Sequence, residues 1–121
     1  MEKPIKVKPG MYALFYESLK SIALEFGYNL ILHGSLDRDL DLVAIPWVDE
    51  PEDEFEMIKS FDMFLRGKAD MLKEQYMFSV LPGGRNSYVI NLNRGTKTGE
   101  WGDYDSQYYL DISVTPLGKK I

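Results

Sequence analysis

The chain has 121 residues, no cysteine, a formal net charge of −5, and is 45% apolar and 13% aromatic. That length is one domain with a single core, and the aromatic content argues against disorder. The acidic balance disfavours broad electrostatic binding to nucleic acid, and the missing cysteines exclude disulfides, thiolate metal sites and cysteine nucleophiles.

Residues 1–10 carry Lys3, Lys6 and Lys8 alongside Pro4 and Pro9 and read as a flexible lead-in arm. They lack the apolar core of a signal peptide, and no stretch approaches the roughly 20 apolar residues of a membrane span. No membrane partner and a cytoplasmic setting are therefore expected. Residues 11–26 predict a helix, because Tyr12, Phe15, Leu19, Ile22, Ala23 and Phe26 recur at steps of three and four. Gly27 stands where a helix stop is expected.

Two short apolar runs follow, at 30–32 and 42–45, separated by Gly34-Ser35, the spacer Leu36-Asp37-Arg38 and the unit Asp39-Leu40-Asp41. Such runs bounded by turn residues read as neighbouring strands of a hairpin. Strand side chains alternate, so Asp39 and Asp41 share a face about 7 Å apart. A divalent cation between them would relieve their repulsion. Mg²⁺ takes carboxylate oxygens and keeps its other positions for water and phosphates. Gly34 permits close approach to the backbone, and Ser35 offers a hydroxyl and an N–H at the same corner. His33, the only histidine, reads either as a strand-end residue with a backbone partner or as a general base or metal ligand.

Asp49, Glu50, Glu52, Asp53 and Glu54 surround Pro51 and suit the positive end of a helix predicted over 51–66. Its apolar side is Phe55, Ile58, Leu65 and either Met63 or Phe61, and Gly67 is its stop. Residues 68–73 read as a helix extension or a linker. Tyr76, Phe78 and Val80 alternate and predict a strand over 75–81; Pro82-Gly83-Gly84 is a turn; Tyr88, Ile90 and Leu92 predict a strand over 86–92. Gly83-Gly84-Arg85 is either a plain turn or a phosphate-holding one, depending on whether Arg85 faces the aspartates. Residues 93–106 are the longest polar segment. Arg94, Lys97, Trp101 and Tyr104 suit a lid over a nucleotide, or a loop anchored by Trp101. The last strand, 107–115, puts Tyr109, Asp111, Ser113 and Thr115 on one face and Leu110, Ile112 and Val114 on the other.

Gly-Ser after one strand, Asp-x-Asp on the next and a lone Asp on a later one resembles the nucleotidyltransferase fold of the DNA polymerase beta type. The resemblance covers about half of the chain. It implies a metal-binding, catalytic triad of Asp39, Asp41 and Asp111 holding up to two Mg²⁺ ions. Gly34, Ser35, Arg38 and Arg85 would contact the nucleotide. It also implies nucleotidyl transfer to a hydroxyl acceptor. The element order predicts an α+β fold: a mixed, mainly antiparallel sheet with two helices on one face.

A second reading is a non-catalytic relative that acts as a binding or regulatory module, of a kind frequent in phage and mobile-element genomes. Behind it stand the three-residue spacer, which has no room for a phosphate-holding helix, and Arg38 as a counter-charge to the acids. A nucleotide is the expected ligand, nucleic acid is weakly supported, and there is room for a homodimer or a protein partner.

Overall fold

The computed structural model describes residues 7–34, 39–67, 69, 72–92 and 109–116. In chain order these form α1 (Val7–Glu25), β1 (Tyr28–His33), β2 (Asp39–Pro46), α2 (Glu54–Arg66), a 3₁₀ turn (Lys73–Tyr76), β3 (Ser79–Val80), a second tight turn (Pro82–Gly84), β4 (Asn86–Asn91) and β5 (Tyr109–Val114). The fold is α+β, as the element order predicts. The sheet has five strands in the order β1-β2-β5-β4-β3. Among the described residues only the β2–β5 pair is parallel; the other pairs are antiparallel. No helix among the described residues is long and apolar enough to cross a membrane.

α1 begins at Val7, inside the stretch expected to be an arm. Pro9 does not prevent this, because N–H groups in a first helical turn have no intrahelical partner to lose. Leu19 and Ala23 are fully buried, and Phe15, Tyr16, Ile22 and Phe26 pack at the margin of the core. The side chain of Tyr12 lies outside the described residues. Gly27 ends the helix at a φ of +91°, where an added Cβ would meet Val48 Cγ2 at 2.7 Å.

The sheet buries one face. Leu30, Leu40, Leu42, Ala44, Tyr88, Ile90, Leu110, Ile112 and Val114 point toward the helices with Leu19, Met57, Ile58 and Phe61. Burying each large aliphatic side chain contributes about 2 kcal/mol. Tyr16 of α1 donates its hydroxyl to the Leu30 carbonyl at 2.8 Å, occupying one acceptor on edge strand β1.

α2 starts at Glu54, three residues later than expected. The Glu52 amide instead donates to the Phe26 carbonyl at 2.8 Å, tying the acidic run to the end of α1. On the buried side of α2 the open alternative resolves to Phe61, which is fully buried, while Met63 is 52% exposed. Gly67 closes the helix in the left-handed region, its N–H donating to Met63 O.

The strand expected over 75–81 shrinks to two residues. Its first part is the 3₁₀ turn, and the reason lies in Asp62, a fully buried carboxylate. Asp62 accepts from Nε of Arg66 and, at 2.7 Å, from Nη2. It also accepts the Tyr76 hydroxyl at 2.8 Å. The Tyr76 ring packs edge-on against Phe55 at 5.9 Å. Tyr76 is thus drawn beneath α2 rather than into the sheet, and Met77 turns the chain back at a φ of +52°.

Beside β4, Glu54 accepts from the Tyr88 hydroxyl at 2.7 Å and the Asn86 amide at 2.6 Å. Burial, then the bond to Glu54, pushes the Tyr88 phenol far above its ordinary range. Burial, then the charges of Glu54 and Asp53, pushes Tyr28 up to about 12.

Candidate functional site

The site is on the sheet face turned away from the helices. Odd-numbered residues of β1, β2 and β5 point there, because the even-numbered ones fill the core. β5 is the last strand in sequence but an inner one in space, inserted between β2 and β4. The parallel register sets Asp41 opposite Asp111, and the antiparallel register of β1 sets His33 opposite Asp41. His33, Asp41 and Asp111 therefore stand in one row across three strands, with neighbouring strands about 4.8 Å apart. Asp41 and Asp111 are both half-buried, and His33 is exposed.

Gly34 closes this end of the row. It adopts a φ of +88°, and a Cβ there would fall 2.6 Å from Oδ2 of Asp41. A side chain here would be strained by the backbone angle and would have to displace the carboxylate beside it.

Arg85 arrives from the other side. The β3–β4 turn is closed by the Leu81 amide donating to the Arg85 carbonyl at 2.7 Å. Arg85 is extended, at φ −76° and ψ 136°. By alternation with Ser87 and Val89 it lies on the open face, near the Asn86–Val114 pair. It lines a cavity of about 300 Å³ together with His33, Asp41, Leu42, Val43, Asp111 and Ser113. That volume is at the small end of ligand sites.

Of the expected site residues, the structure brings Asp41, Asp111, Gly34 and Arg85 together. Asp39 stands on β2 opposite Tyr109, one row away from the Asp41–Asp111 pair. Its side chain, Ser35, Arg38 and the whole of the 93–106 segment lie outside the described residues. Ser113 and Val43 also line the cavity, without having been singled out for a role. Alternation put Ser113 on the polar face, but only register sets it opposite Ser87, in the cavity that Arg85 also lines.

Among the described residues, no group of three or more His, Cys, Asp and Glu side chains could hold a metal ion. Two adjacent carboxylates nevertheless suit Mg²⁺, which is commonly held by one or two carboxylates and completed by water and substrate phosphates. Hard oxygen donors favour Mg²⁺ or Mn²⁺ over softer ions.

The chain matches no family model, no curated protein and no solved structure. The reading of the site therefore rests on its own geometry.

Proposed function

We propose that this chain is a minimal nucleotidyltransferase-like protein. Its open-face cavity would bind a nucleoside triphosphate through a divalent cation and transfer the nucleotidyl group to a hydroxyl, the acceptor oxygen bonding to the α-phosphorus as the bond to the β-phosphate oxygen breaks and pyrophosphate leaves. One observation carries this reading: Asp41 and Asp111, seventy positions apart in the chain, stand side by side in register and line one cavity with Arg85. Asp41 and Asp111 would hold Mg²⁺, with Asp39 as the third carboxylate. The ion, when bound, supplies stabilisation of the charge that develops on phosphoryl oxygens. Arg85 forks onto the phosphate. Asp111 is the acceptor for the proton of the incoming hydroxyl.

The shortness of the β1–β2 connection supports the second reading, a module that binds without transfer. β1 ends at His33 and β2 begins at Asp39, so the connection is far shorter than the roughly 10 residues of an average helix, whose N-terminus would hold a triphosphate.

Thermal unfolding with Mg²⁺ or Mn²⁺ and nucleoside triphosphates tests the first reading, with Asp41→Asn alongside. A ligand at a hundredfold above its Kd stabilises by about 2.7 kcal/mol, several degrees for a domain of this size. Wild type should gain this and Asp41→Asn should not. Equal behaviour of the two chains would remove the basis for the site. Binding with no transferred product from any hydroxyl acceptor would favour the module.

A further inference from the structure

Beyond the acid pair, the open face divides. On the β1–β2 side the next residue along is Val43, with Ile31 opposite it, and Ile45 follows. Ile31 is 44% and Ile45 40% exposed, and this lane carries no charge. On the β5–β4 side the next residue is Ser113, with Ser87 opposite it; Thr115 and Arg85 lie beyond. One two-residue step along a strand is about 6.7 Å, so each lane runs on the order of 13 Å from the acids. Val43, Ser113 and Arg85 all line the cavity that holds Asp41 and Asp111, so both lanes open from the same point.

A nucleoside triphosphate forks in the same way. From its α-phosphorus, one arm is a run of further phosphates and the other a sugar with a flat, weakly polar base. Resting on the reading of the preceding subsection, we propose that the open face separates these arms. The α-phosphate sits at Asp41 and Asp111. The β- and γ-phosphates run over Ser113 toward Arg85. The nucleoside lies on Ile31, Val43 and Ile45. Hydroxyls and a guanidinium suit phosphate oxygens, and aliphatic side chains suit the face of a base. A second copy packed on this face would bury both carboxylates, which costs several kcal/mol for each charge. The net charge of −5 does not suit a nucleic acid strand.

Calorimetric titration in Mn²⁺ tests this with three probes: tripolyphosphate, the four common nucleoside triphosphates and the matching monophosphates. Arg85→Gln should weaken tripolyphosphate and triphosphates by about tenfold or more, as expected for a lost charge-assisted bond, and leave monophosphates within about twofold. The double variant Ile31→Thr/Ile45→Thr keeps strand-favouring residues at exposed positions. It should weaken the mono- and triphosphates and leave tripolyphosphate unchanged. If both variants weaken all three probes alike, or neither weakens any, the two-lane assignment fails while the metal–nucleotide reading stands. If wild type binds none of the probes, both fail. A concentration-dependent dimer of wild type that the double variant abolishes would assign the apolar lane to a second copy and overturn the proposal.

Discussion

Two glycines in the same backbone region separate strain from function. Gly34 has a φ of +88° and leaves no room for a Cβ beside Asp41; Gly67 has a φ of +77° with nothing within 4 Å. Alanine at either position adopts the left-handed region at a cost of about 1 kcal/mol. Gly67→Ala should show that cost alone in denaturant unfolding, with metal–nucleotide binding unchanged. Gly34→Ala should show the cost and also displace the Asp41 carboxylate, so that calorimetric binding falls by about tenfold or more. Equal binding by the two variants would mean that the close approach at Gly34 has no bearing on the ligand.

At the scale of elements, α2 and the chain after it are joined by the Asp62 cluster. Arg66 is an i+4 partner whose side chain is only 6% exposed, and Tyr76 brings the following turn against the same carboxylate. Asp62→Ala removes the acceptor for both and leaves a guanidinium buried beside a cavity. A loss of about 3–5 kcal/mol is expected, measured by urea unfolding, because one member of a buried ion pair is removed. The 3₁₀ turn over Lys73–Tyr76 should lose its hydrogen-exchange protection before the sheet does. Alternation alone could not reveal this turn. Tyr76, Phe78 and Val80 have the period of a strand, but Tyr76 is claimed by a helix and Val80 is 63% exposed. A period-two pattern over a few residues does not say which neighbour wins the buried side chain.

For the whole molecule, alkaline pH is the informative variable. Tyr28 holds its proton up to about 12, against an ordinary value near 10, and Tyr88 is raised further in the same direction. A pKa raised in the folded state means that folding favours the protonated phenol. Its contribution is therefore fully present below pH 10 and is lost as pH rises through the folded value. Equilibrium unfolding from pH 9 to 12 should show stability falling across that window, with Tyr28 alone accounting for on the order of 2 kcal/mol. Tyr28→Phe should flatten part of the fall. An unchanged slope in this variant would mean that the Tyr28 phenol is not held neutral by the fold.

The amino-acid sequence by itself determined that 30–32, 42–45 and the stretches about Tyr88 and Asp111 are strands, which face their residues take, and that Asp41 and Asp111 each lie opposite an aliphatic row. These are local matters, settled by the alternation of side chains and by turn residues such as Gly34 and Gly83. Only the tertiary structure decided that β5 enters between β2 and β4, that Asp111 rather than Tyr109 stands beside Asp41, and that Arg85 reaches the same cavity. Strand order and register are chosen by how the rows of Leu, Ile and Val pack together beneath α1 and α2. That choice depends on contacts between residues far apart in the chain, which no short window of sequence contains.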